Sequence, residues 1–276
     1  MPARVTESVQ SLVARSHLAR RMVRRLSAST RRGAFPIIDG PARGLLIDVA
    51  GSRPSYVLGT AEPEMQRCLQ EHVRPGDVVL DLGANVGFFT LISAALVGSS
   101  GQVIAYEPVP TVAGALRHNV ALNGLDNVHV VEAAVSDGAG QAQIATNASD
   151  QEASLVNRRG GTTLDVRTVS VDDEVARLSV QPAFVKIDVE GAEDAVVRGM
   201  IRTLRVARPV VVCELHSFHH DLNGPIPATL IEAGYDVSWL ETDVEGAEER
   251  WAPHLVAVPR PSAGSTPGSP TTAADD

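Results

Sequence analysis

The stretch Val78–Thr90, Val-Val-Leu-Asp-Leu-Gly-Ala-Asn-Val-Gly-Phe-Phe-Thr, constrains this chain more than any other. A run of buried-type residues ends in an acid, a glycine turn follows, and an apolar segment of helical character starts near Val86. Strand, tight turn and helix form the opening unit of a nucleotide-binding α/β sheet. Gly83 and Gly87 allow backbone to approach a ligand closely, and the helix N-terminus behind them offers free N–H groups. Asp81, at the strand end, makes the site acidic, which disfavours a pyrophosphate and favours a ligand carrying amino groups.

Val103–Glu107 reads as a second strand ending in an acid, 24 positions after Gly83. An acid about 20 residues beyond the glycines reaches a ribose diol in such folds. Carboxylates at two successive strand ends suit S-adenosylmethionine, one near its amino group and one on its ribose. A dinucleotide is the weaker reading, because the turn lacks the third glycine of G-x-G-x-x-G.

The rest of the chain alternates. Residues 34–75 form a small cap, with a strand at Gly44–Ala50 and a helix at Glu64–His72. In the core, a helix over Thr111–Asn123 leads to a strand at Val128–Val131. Later strands fall at Ala183–Asp188 and Pro209–Leu215, with a helix at Ala192–Leu204 between them. Tyr235–Leu240 and Leu255–Val258 can form a final hairpin. Residues 138–170 are polar and glycine-containing, with only short strand-like pieces. Near-continuous apolar strands separated by helices imply a mostly parallel, doubly wound sheet covered on both faces. The expected domains are a basic extension (1–33), the cap (34–75), the α/β core (76–258) and a disordered Pro/Ser/Thr/Ala tail (259–276).

Charge is unevenly spread. The net charge is −9, but residues 1–33 hold eight arginines against the single acid Glu7, leaving −16 on the remainder. A core of that charge, with 4% aromatics, is not a nucleic-acid binder. The extension has apolar residues at helical spacing between its arginines, so it reads as a solvated tail, a transit-like peptide, or a helix making peripheral membrane contact. A membrane-surface adaptor is therefore a third reading of the whole chain. Two cysteines, Cys68 and Cys213, argue against a disulfide framework. With no run of 18 apolar residues and no signal-peptide core, the expected location is cytoplasmic. Oligomeric state is not legible.

Four segments stand together: Asp81-Leu82-Gly83-Ala84-Asn85-Val86-Gly87, Tyr106-Glu107-Pro108, Lys186-Ile187-Asp188-Val189-Glu190-Gly191-Ala192-Glu193, and Glu214-Leu215-His216. Over about residues 55–258 the set resembles the FkbM family of S-adenosylmethionine-dependent methyltransferases. The resemblance implies a class I methyltransferase fold, a Rossmann-like sheet of seven strands with the last antiparallel. It also implies O-methylation of a hydroxyl on a sugar, glycolipid or polyketide-type natural product. By that resemblance Asp81, Gly83, Asn85 and Gly87 belong to the cofactor turn, Glu107 to the ribose and Ala134 to the adenine stretch. Asp188 lies beside the transferred methyl group, and Glu214 and His216 are on the substrate side.

Lys186 and Asp188 share a strand face, as do Glu214 and His216, and ligands of open α/β sheets collect at the carboxyl ends of strands. His216 is the first candidate for general base, since an imidazole titrates near neutrality without tuning; His219 and His220 compete with it. Lys186, the only lysine beside 23 arginines, is a base candidate or the partner of Asp188 or Glu214 in an ion pair. Asp188, Glu214 and His216 also have the chemistry of Mg²⁺ or Mn²⁺ ligands, although no metal is assigned. Glu190, Glu193 and Asp194 are explained by the positive end of the following helix. An NAD- or nucleotide-sugar-dependent oxidoreductase is the alternative enzyme.

Overall fold

A computed structural model describes residues 33–48, 53–146, 153–154, 162–216, 222, 224–240 and 253–261. The basic extension to residue 32, His219, His220 and the tail from residue 262 lie outside the described residues, so expectations for them stand as they were.

A hairpin of β1 (Ala34–Pro36) and β2 (Leu46–Asp48) comes first, followed by α1 (Pro54–Leu58) and α2 (Pro63–His72). Pro54 and Pro63 each open their helix at a position where a missing N–H costs nothing. The core then runs β3 (Val78–Leu82), α3 (Phe88–Val97), β4 (Gln102–Tyr106), α4 (Pro110–Leu122) and β5 (Val128–Val131). A second sheet interrupts it, with β6 (Ala134–Ser136), β7 (Gly140–Thr146), β8 (Ala153–Ser154) and β9 (Thr162–Ser170) in the order β6-β9-β7-β8. The chain closes with α5 (Val171–Leu178), β10 (Pro182–Ile187), α6 (Glu193–Arg198), α7 (Ile201–Val206), β11 (Val210–Glu214), α8 (Pro225–Glu232), β12 (Tyr235–Trp239) and β13 (His254–Pro259).

The main sheet has seven strands in the order β12-β13-β11-β10-β3-β4-β5. β3, β4, β5, β10 and β11 pair in parallel, whereas β13 runs antiparallel to both β11 and β12. This is the doubly wound, class I methyltransferase arrangement, with the last strand inserted antiparallel. The chain leaves β3 in one direction and returns to β10 on its other side, so the crevice above β3 and β10 is the switch point where such sheets hold ligands. Alternation splits the strands between two cores. Val79, Val103 and Phe184 face Met65, Leu91 and Ile92, while Leu80, Ile104 and Val185 face Val196, Met200 and Leu204.

Three details depart from the sequence reading. The helix expected over Ala192–Leu204 is two helices, broken at Gly199–Met200. Gly199 packs directly on the Ser136 main chain, where a side chain has no room. The polar stretch 138–170 contains a long antiparallel pair, β7 with β9, in which Leu164, Val166 and Thr168 turn inward and Thr163, Asp165 and Arg167 outward. That period of two was present in the sequence, diluted by threonines. β2 also starts at Leu46 and not at Gly44, and Val49 and Ala50 lie outside the described residues.

Asn119 on α4 and Asn123, which caps its C-terminus, clasp the N-terminal hairpin to the core. Asn119, fully buried, accepts from the Asp48 N–H at 2.8 Å and donates to the Val86 carbonyl at 2.9 Å. Asn123 accepts from the Leu46 N–H at 2.7 Å and donates back to the Leu46 carbonyl at 2.8 Å. Truncating Asn119 strands a buried donor and a buried acceptor. Asn119→Ala is therefore expected to lower unfolding free energy by about 1–3 kcal/mol, read as a fall in the urea midpoint at unchanged slope.

Candidate active site

The turn after β3 begins with Gly83 at φ +80° and passes through Asn85 at φ +51°, both left-handed. The glycine requirement has a cause other than a ligand. A Cβ on Gly83 would collide with the Asp188 carbonyl, and one on Gly87 with the Leu116 side chain. These glycines let β10 and α4 close on the turn. Asn85 accepts from the Val86 N–H at 2.7 Å, an Asx contact that holds its own unusual conformation.

Glu107, following β4, is 6% exposed and spans the turn and the start of the next loop. Its carboxylate accepts the Asn85 N–H at 3.0 Å and the Val109 N–H at 2.9 Å. Burial pushes its carboxyl up to about 7, against the downward pull of these two bonds and of Lys186.

Between these parts lies a cavity open to solvent. Gly83 and Asn85 line one side, Glu107 and Pro108 the next, and Asp188 and Glu190 the end nearest β10. Val112, Ala133, Ala134, Val135 and Ile144 supply an apolar slot; Ile144 comes from β7, in the stretch the sequence rendered poorly. Among the described residues lining the cavity there is no arginine, lysine or histidine. Of the residues singled out from sequence for the cofactor, Gly83, Asn85, Glu107, Ala134 and Asp188 meet here. Asp81 and Gly87 do not line it: Asp81 is 1% exposed and accepts from the Thr90 hydroxyl at 2.6 Å.

Beneath the cavity, Lys186 is buried beside its register partner Asp81 on the neighbouring strand. Its ammonium lies 3.3 Å from Asp81, 3.3 Å from Asp188 and 3.3 Å from the Gly83 carbonyl, and 5.5 Å above the Phe89 ring. Burial works against this charge, but Asp188, Asp81, Glu62 and Glu214 outweigh it and raise the lysine above its usual range. Asp188 moves the opposite way: burial resists its charge, and Lys186 and His216 hold the carboxylate on. Of the two ion pairs the sequence offered for Lys186, the one with Asp188 forms.

His216 sits just past β11 with its Nδ1 donating to Glu193 at 2.9 Å. Its Nε2 faces Glu214 and Glu190 at 3.6 Å each and Asp188 at 3.8 Å. Burial alone would lower its pKa, but Glu193, Glu214, Glu190 and Asp188 carry it up to about 9. The expectation of an untuned imidazole is thus overturned: four carboxylates favour the imidazolium. Glu193 is more than a helix-dipole acid, since it is 2% exposed and also accepts the Gly191 N–H at 2.9 Å. Glu214, pushed up to about 8 by burial and by Asp188 against the pull of His254, completes the cluster.

Sequence reasoning missed the far side of Glu214. His254 opens β13 in register with Glu214, and Glu62 and Glu64 at the start of α2 face it. Nothing in their spacing announces this, because they are brought together only when β13 inserts beside β11.

Residues 81–237 match the Methyltransferase FkbM domain family. The chain belongs to that family. Among curated relatives, it is 31% identical over 135 residues to protein-L-isoaspartate O-methyltransferase 2 of Archaeoglobus fulgidus, covering 45% of this chain and 59% of the relative. It is 30% identical over 162 residues to the hexuronic acid methyltransferase AglP of Haloferax volcanii, covering 56% of this chain and 63% of that one. It is 44% identical over 77 residues to the 31-O-demethyl-FK506 methyltransferase FkbM of Streptomyces tacrolimicus, covering 27% and 29%. The matched segments therefore span less than two thirds of each relative.

The buried Glu107 yields a linkage prediction. Its folded pKa of about 7 lies above its ordinary 4.5, so the folded state binds the extra proton and loses stability as pH rises through that window. Glu107→Gln carries no such charge. Its stability relative to wild type is expected to climb between pH 4.5 and 7, by up to about 3 kcal/mol, and to stay flat outside those limits, measured by urea unfolding at stepped pH.

Proposed function

We propose that the chain is an S-adenosylmethionine-dependent O-methyltransferase acting on a hydroxyl of a small-molecule, sugar or glycolipid acceptor. The observation that carries this reading is the cavity at the β3–β10 switch point, which combines an apolar slot, a carboxylate wall and an acidic end. The donor set fits the cofactor's parts: Val112, Ala133, Ala134, Val135 and Ile144 suit a flat base, and Glu107 suits a ribose diol. The backbone of Gly83 and Asn85, with Asp188 and Glu190, suits the cationic methionine end. The lack of basic side chains among the described lining residues speaks against a pyrophosphate, and so against the oxidoreductase alternative. The FkbM family assignment and two relatives, a hexuronic acid methyltransferase and a 31-O-demethyl-FK506 methyltransferase, point the same way.

When bound, S-adenosylmethionine supplies an electrophilic methyl group and a positive charge. The chain's own task is to hold the acceptor oxygen in line and remove its proton. His216 is suited to take that proton at Nε2, with Glu193 fixing the ring through Nδ1. Glu214 and Asp188 flank the same nitrogen, and either can hold an acceptor hydroxyl. Lys186, kept charged by its carboxylates, is a positioning residue: it anchors Asp188 and the Gly83 carbonyl and is a poor proton acceptor. Since the imidazolium is favoured at rest, turnover is expected to rise with pH across the neutral range.

Isothermal titration with S-adenosylhomocysteine is expected to show micromolar binding, with NAD silent; NAD binding alone would overturn the reading. Glu107→Ala is expected to weaken S-adenosylhomocysteine by about 1–3 kcal/mol, and unchanged affinity removes Glu107 from the ribose. With an acceptor found by screening sugar and polyketide hydroxyls, His216→Ala is expected to cut turnover by about 10²–10⁴ while keeping cofactor affinity. A loss below about threefold would transfer the base role to Asp188 or Glu214.

A further inference from the structure

His254 is 4% exposed, yet its Nε2 meets no hydrogen-bond partner. Glu62 Oε2, also buried without a hydrogen-bond partner, lies 3.3 Å away, and Glu214 Oε2 lies 3.8 Å away. The three atoms fall within 4.8 Å of one another. They come from three separate places in the chain: the residue before α2, the last residue of β11 and the first residue of β13. Two of the three, Glu62 Oε2 and His254 Nε2, are buried without the directional bonds that buried polar atoms normally make. A cation between them satisfies all three at once.

We propose that Glu62, Glu214 and His254 form a binding site for one divalent transition-metal ion of the Mn²⁺-to-Zn²⁺ class. The distances suit it. Ligand atoms about 2.1 Å from a shared ion stand roughly 3.0–3.5 Å apart; the 3.3 Å from His254 to Glu62 already fits, and the 3.8 Å from His254 to Glu214 needs slight closing. Imidazole nitrogen beside carboxylates selects this class over Mg²⁺ and Ca²⁺, which take oxygen. Glu64 Oε1 lies 3.9 Å from Nδ1, on the opposite side of the ring, the side from which carboxylates orient metal-bound imidazoles. The neighbouring trio of Asp188, Glu214 and His216 also converges within 4.8 Å, but it is the poorer host. There the Lys186 ammonium already neutralises Asp188 at 3.3 Å. Glu214 serves both groups with different oxygens, Oε1 toward His216 and Oε2 toward His254. The ion ties α2 to the sheet and fixes the carboxylate that borders the candidate active site.

The test uses the full chain, stripped with a chelator, dialysed and titrated calorimetrically with Zn²⁺ and, separately, Mn²⁺. One ion per chain at micromolar affinity or better is expected. Glu62→Gln and His254→Ala should each weaken binding at least tenfold, and His216→Ala should leave stoichiometry and affinity in place. Absence of saturable binding to the wild type overturns the proposal. So does binding that His216→Ala removes while Glu62→Gln and His254→Ala retain it. Should His254→Ala fail to fold, Glu62→Gln and proton NMR of the Co²⁺-loaded wild type decide. A hyperfine-shifted imidazole N–H that disappears in Glu62→Gln supports the site, and its absence from the wild type overturns it.

Discussion

The molecule depends on one buried ammonium. Lys186 sits between the two strands that diverge at the sheet's switch point, and its three contacts join the strand body, the turn after β3 and the start of the β10 loop. Removing such a charge leaves Asp81 and Asp188 facing each other in a poorly solvated interior, which is worse than never having built the pair. The same contacts explain why a lysine stands here in an arginine-rich chain. A compact point charge reaches two carboxylates and a carbonyl at once, whereas a guanidinium fork needs more room.

From that anchor the site spreads as a line of acids, not as isolated catalytic groups. Asp188, Glu190, Glu193 and Glu214 surround one imidazole, and Glu214 hands the line on to His254, Glu62 and Glu64. Charge here is balanced collectively, and the protonation of Asp188, Glu214, His216 and His254 is set by their neighbours. Burial alone would push both histidines toward neutrality; the surrounding carboxylates reverse the sign for each.

The fold was legible where hydrophobic patterning and turn chemistry agree. Val78–Leu82, Gln102–Tyr106 and Pro182–Ile187 are short apolar runs bounded by breakers, and the sheet uses them as written. The lysine–aspartate pair and the position of Glu107 were legible because a strand's period and a conserved topology rule fix them locally. Three things were not. Gly199 breaks a helix because of a main chain 63 residues earlier, β9 hides its alternation behind threonines, and His254 meets Glu214 only through strand insertion. Each depends on a tertiary neighbour that no local window contains. The glycines of the turn stand out in the sequence, but not the protein neighbours for which their missing side chains make room.

The insertion of β13 also bears on how the molecule is assembled. β11 carries Glu214, yet its outer neighbour is the last of the described strands, and among the described residues β12, made earlier, pairs only with that late strand. During vectorial synthesis, β3, β4, β5, β10 and β11 can dock in order while β11 keeps an unpaired edge. That edge is an open template for wrong partners until the residues after 253 emerge. The acid–imidazole array is completed by the same event, so a nascent chain acquires its full complement of site groups only when its sheet is sealed.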